Sequence, residues 1–168
     1  MKQLNLFSSQ ASESDSPAVE RVADMWQLFI DGAARNNPGP AGVGIYILKN
    51  GEPFERKGFF LGSKTNNQAE YSALLIGLVM VKDVMQAHDT LTIVSDSELM
   101  VKQIQGLYKV KQPDLQKLHA QALVFLKNLS YVIRHVLRSE NPVADELANH
   151  GIDKKVQLPS TIAEKLVL

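Results

Sequence analysis

Apolar positions come first in short runs and later at helical spacing. Gln27–Ile30 is a short apolar run that breaks at Asp31 into a loop rich in Gly, Asn and Pro. A second run, Gly42–Leu48 ("GVGIYIL"), closes at Asn50-Gly51, a dipeptide that between apolar runs signals a tight hairpin. Phe54–Leu61 is a third run, so the pattern predicts an antiparallel meander. At Thr65 the period changes. Tyr71, Leu74, Leu75, Leu78, Val81, Val84 and Met85 recur as one helical face, with Asn66 or Asn67 able to cap it. Leu91–Ser95 reads as a fourth strand and Glu98 to about Gln105 as a second helix. A third helix begins at Pro113 or Asp114, with Leu115, Leu118, Ala122, Phe125 and Leu129 on one face. Tyr131–Leu137 is a fifth strand. Asn141-Pro142, a cap followed by proline in the first turn, predicts a last helix that stops at Gly151. The predicted order is βββαβααβα.

Residues 1–23 fall outside this pattern. They are polar and Ser-rich, and read as a flexible N-terminal leader ahead of a domain at 24–153. Residues 154–168 form a C-terminal tail, within which Gln157–Leu168 is expected to be a short helix packing back, an interaction tail or disordered. A hydrophobic content of 45% over 168 residues suits one domain with a real core. No apolar stretch is long enough to span a membrane, and the start lacks a signal-peptide pattern, so no membrane partner and a cytoplasmic location are expected. The absence of cysteine excludes disulfides, thiolate metal sites and a Cys nucleophile. With 18 basic and 18 acidic residues the chain is formally neutral, which argues against gripping nucleic acid by bulk charge unless bound cations offset the acids.

Four acids stand where strands end or helices start. Asp31 ends or nearly ends the first strand, Glu70 lies in the first turn of the long helix, Asp96 follows the fourth strand, and Asp145 is early in the last helix. Each has an ordinary structural explanation as a turn former, a cap or a dipole partner. Such junctions are also where α/β sheets gather their chemistry.

The segments "FIDGAARNNPGPAGVG", "TNNQAEYSALLIGL", "IVSDSELMVKQI" and "RHVLRSENPVADELAN", in this order, resemble those of type 1 ribonucleases H over about three quarters of the chain. The segment "GLYKVKQPDL", where other members have a longer basic protrusion, is similar to the reverse-transcriptase-like subgroup found in archaea and many bacteria. The resemblance implies a ribonuclease H-like α/β fold with a five-stranded mixed sheet, three antiparallel strands then two parallel, flanked by helices. It implies an endoribonuclease that hydrolyses the RNA strand of RNA–DNA hybrids, leaving 5′-phosphate and 3′-hydroxyl ends. Asp31, Glu70, Asp96 and Asp145 would be catalytic and would hold two Mg²⁺ ions, with Mn²⁺ as a substitute. Asp31 would bridge both ions, with Glu70 and Asp96 on one and Asp145 on the other. Oxygen-only donors suit such hard cations.

The resemblance also puts Gly32, Asn37, Asn66 and Asn67 along the hybrid, and Gln68 beside them. An auxiliary residue is expected at Arg138 or His135, with Arg138 favoured because the glycine-flanked loop that frees such a His is missing. Glu98 stands where the family often has Gln, and is expected to turn away or cap its helix. Lys102, Lys109, Lys111 and Lys117 are candidate phosphate contacts. Double-stranded RNA is an alternative duplex, and no obligate protein partner is expected. Two other readings remain: a nuclease of this fold that acts on another duplex or on DNA, and a binding module without chemistry.

Overall fold

The computed structural model describes residues 19–168, so most of the expected leader lies outside the described residues. The elements are β1 (Met25–Ala34), β2 (Gly39–Lys49), β3 (Glu52–Lys64), α1 (Asn66–Lys82), β4 (Thr90–Ser95), α2 (Glu98–Ile104) and α3 (Pro113–Leu126). After these come β5 (Ser130–His135), a 3-10 turn (Arg138–Glu140), α4 (Pro142–Lys154) and a short α5 (Ser160–Ala163). One five-stranded sheet has the order β3-β2-β1-β4-β5. The meander pairs antiparallel, whereas β4 runs parallel to β1 and β5 parallel to β4. The predicted architecture is therefore present, with α5 added at the C-terminal end.

Local chemistry explains the turning points. Asn50 and Gly51 both have positive φ, 51° and 82°, as a tight hairpin matching the strand twist requires. The cap of α1 is Thr65, and not Asn66 or Asn67 as the sequence suggested. The Gln68 amide donates to the Thr65 hydroxyl, and the Thr65 amide donates to the Gln68 side chain. The C-terminal tail packs back, with Val156, Leu158, Ile162, Leu166 and Leu168 against the core.

Leu74, Leu75 and Leu78 of α1 are fully buried together with Leu28, Ile30 and Ile93 of the sheet. On the other face, α4 lies so close to the meander that glycine is required beneath it. A Cβ on Gly44 would stand 1.8 Å from the Ala144 carbonyl oxygen. This seat fixes the helix that holds Asp145. Among the described residues, no helix is long and apolar enough to cross a membrane.

Candidate active site

The parallel pairing of β1 with β4 ends at Ile30 opposite Ser95. Asp31 and Asp96, each one residue further on, therefore stand side by side where the two strands diverge. β1 itself does not end there. It continues to Ala34 because β2 goes on pairing, with Asp31 opposite Gly44 and Ala34 opposite Ala41. The expectation that Asp31 closes the strand held only for the β4 side.

Glu70 arrives from α1. Because Thr65 is the cap, Glu70 lies beyond the first turn, which contains no acid. Gly32 makes its approach possible: a Cβ there would sit 2.3 Å from the Glu70 nitrogen. The Gly32 amide then donates to the Glu70 carboxylate at 3.1 Å. Carboxylate oxygens of Asp31, Glu70 and Asp96 all lie within 4.8 Å of one another.

Such crowding is electrostatically costly. Asp31 is 5% exposed. Burial first, then the charges of Asp96 and Asp145, push its carboxyl up to about 7. Burial first, then the charges of Asp31 and Asp96, hold Glu70 well above the usual carboxylate range, against the pull of the Gly32 amide. One oxygen of Asp96 is buried with no hydrogen-bond partner. A buried lone pair without a donor, beside two carboxylates raised by burial and by their neighbours' charge, is the chemistry a hard divalent cation would satisfy.

Asp145, in the first turn of α4, stands at the edge of this trio. It accepts a hydrogen bond from the Arg138 guanidinium at 2.7 Å, while Arg138 remains largely in solvent. Asn141 is the cap residue of α4 and Pro142 follows it in the first turn, as expected, but the Asn141 side chain makes no capping hydrogen bond. Its carbonyl accepts from the Asp145 amide at 3.2 Å, and its side-chain amide reaches across to donate to the Ile30 carbonyl at 2.9 Å. That bond pins the start of α4 next to Asp31.

A family model described as "Reverse transcriptase-like" matches residues 29–151. The ribonuclease HI of Halobacterium salinarum is 38% identical over 127 residues, covering 74% of this chain and 63% of that protein. The chain belongs to the type 1 ribonuclease H family. The bifunctional protein Rv2228c of Mycobacterium tuberculosis is 36% identical over 138 residues, 80% of this chain and 37% of that protein, so the match spans less than two thirds of either relative. Among solved structures, LC11-RNase H1 in complex with RNA/DNA hybrid superposes with a TM-score of 0.72 at 36% identity, covering 78% of this chain and 97% of that one.

In this member of the family Asp31, Glu70 and Asp96, but not Asp145, line a cleft of about 400 Å³, which also takes in Gly32, Asn66, Asn67 and Arg138. Arg35, Ser97 and Asn149 line it too; the sequence reading missed them because nothing in their spacing sets them apart. Asn37 does not line the cleft but accepts a hydrogen bond from the Asn66 amide at 3.0 Å. Gln68 is engaged in the α1 cap and faces a different hollow, shared with Lys117 and Leu168. His135 ends β5, exposed, outside the cleft lining. Glu98 turns away into an ion pair with Lys102 at 2.6 Å. Lys109 and Lys111 line a neighbouring groove with Asn67 and Tyr108.

Proposed function

We propose that this chain is an endoribonuclease that hydrolyses the RNA strand of RNA–DNA hybrids, leaving 5′-phosphate and 3′-hydroxyl ends, with two Mg²⁺ or Mn²⁺ ions. The observation that supports it best is the convergence of Asp31, Glu70 and Asp96 from three separate elements, with one Asp96 oxygen left without a donor. The hybrid-bound relative of the same fold supports the choice of substrate.

Asp31, Glu70 and Asp96 would hold the cations, with Asp31 shared between them and Asp145 joining once Arg138 lets it go. Bound ions of this kind supply Lewis-acid activation of water and offset the charge developing on a phosphodiester. The chain's own part is placement. The Gly32 amide orients Glu70, the Asn141 amide holds α4 against β1, and Asn66, tied to Asn37 and Ala34, presents polar groups at the cleft wall. Asn66, Asn67 and the Gly32 backbone would meet the hybrid, where a 2′-hydroxyl both donates and accepts. Arg138, exposed and already aimed into the cleft, would turn from Asp145 to a phosphate oxygen.

The test is cleavage of labelled RNA–DNA hybrid, double-stranded RNA and double-stranded DNA, each with Mg²⁺, Mn²⁺ or chelator. Metal-dependent cutting of the RNA strand in the hybrid is expected. Preference for either other duplex, or cutting in chelator, would overturn the proposal.

A further inference from the structure

The described chain begins with a firm anchor. The Arg21 guanidinium donates to the Asp89 carboxylate at 3.0 Å, the Asp24 amide donates to it at 2.9 Å, and the Thr90 amide donates to the Asp24 carbonyl at 3.1 Å. This anchor lies beside the first residues of β1 and β4, whereas Asp31 and Asp96 follow the last paired residues of the same two strands. At ~3.3 Å per residue, the two ends are roughly 20 Å apart. The segment before the anchor therefore joins the body on the side away from the cleft.

The composition of that segment is uneven. Ser8–Ala18, "SSQASESDSPA", offers no large apolar side chain. Just ahead of it, Gln3–Phe7, "QLNLF", places two leucines and a phenylalanine within five residues. A polar stretch cannot cover such side chains itself. Beside the anchor the body exposes only scattered apolar side chains, Val19, Val22, Met25 and Phe54. Trp26 is already sealed at 2% exposure beneath Phe54 and the Lys49 ammonium, and the hollow at the anchor mixes Val22 and Ala87 with Glu20, Arg21, Gln86 and His88.

We propose that Gln3–Phe7 is a peptide ligand for an apolar cleft on a protein that itself rides on duplex DNA, such as a sliding ring, and that Ser8–Ala18 is its tether. Alternation suits this. In an extended peptide, positions 4 and 6 share one side and position 7 takes the other, which pairs side chains with separate pockets while the Gln3 amide offers a donor and an acceptor. The partner class follows from charge and rests on the hybrid-cleaving reading. A neutral chain gains little from counterion release, so its grip on a long duplex is weak. Tethering to a protein that stays on the duplex replaces that grip with an effective concentration in the mM range. Eleven residues reach at most about 40 Å, enough to set the cleft on nucleic acid beside the partner.

The test compares the full chain with the variant Leu4→Ala/Leu6→Ala/Phe7→Ala. The probe is the purified sliding ring of the DNA replication machinery from the same organism, and binding is read by calorimetry. The full chain is expected to bind the ring, and the variant at least tenfold more weakly, while both cleave a short free hybrid at equal rates. Equal binding by both proteins, or binding by neither, would overturn the proposal. So would a variant whose melting temperature falls by several degrees, since the segment would then be packing on its own domain. Ring binding by a chain that leaves the free hybrid uncut would uphold the docking and sink the proposed activity.

Discussion

Two aspartates are buried at opposite ends of the same strand pair, and they live under opposite conditions. Asp89, 3% exposed, receives hydrogen bonds from Arg21, from the Trp26 indole and from the Asp24 and Gln86 amides. Burial alone would raise its carboxyl, but those donors prevail and hold it well below the usual range. Asp31, equally buried, faces acids and is pushed up. One end of the sheet is a satisfied charge that locks the fold. The other is an unsatisfied cluster held in place by packing, and such conflict between local chemistry and burial marks a working site.

The largest effect that sharpens this contrast is on chemistry. Asp96→Asn keeps the side-chain volume but removes a cation ligand, so hybrid cleavage should fall to background while the melting temperature of the metal-free protein holds or rises. Normal cutting by this variant would make Asp96 a mere strand-end residue. Second, Asp89→Ala leaves the Trp26 indole and two amides without their acceptor and should cost about 2–4 kcal/mol in a urea melt, without removing any group of the cleft.

Third, the two ends should respond to pH with opposite signs. Asp31 has its folded value raised from 3.8 to about 7, so its contribution is complete below about pH 4 and is lost as pH rises towards 7. Asp89 has its folded value lowered, so its contribution is present above about pH 4 and fades as pH falls. In chelator, melting temperature should therefore decline between about pH 4 and 7, and added Mg²⁺ should remove that decline. A flat metal-free profile across this window would break the comparison. The smallest effect separates the auxiliary candidates: Arg138→Ala should slow turnover about tenfold, and His135→Ala should change it less than twofold.

Much of this was legible in the chain. Asn50-Gly51 announced the hairpin, and the switch of period at Thr65 announced α1, because both signals are local. What the chain concealed lay mostly in partners distant in sequence. Asp31 looked like a strand end because the continued pairing with β2 cannot be read from β1. Asn141 does cap α4, but the bond its side chain makes, to the Ile30 carbonyl 111 residues away, could not be read from the sequence around it. Glu70 was placed a turn too early because Thr65, and not an asparagine, turned out to begin the helix. The convergence of Asp31, Glu70 and Asp96 was expected from the family resemblance, since spacing alone could not bring separate elements to one point.

The glycine seat beneath α4 gives the meander an unexpected hold over reactivity. Gly44 touches no cation and no nucleotide in the proposed scheme, yet one added methyl there collides with the Ala144 carbonyl. The helix would have to lift, taking its first-turn aspartate away from the other three. A screen for inactive variants should therefore collect hits at this remote, chemically inert position and score them as if they were lesions of the reaction centre.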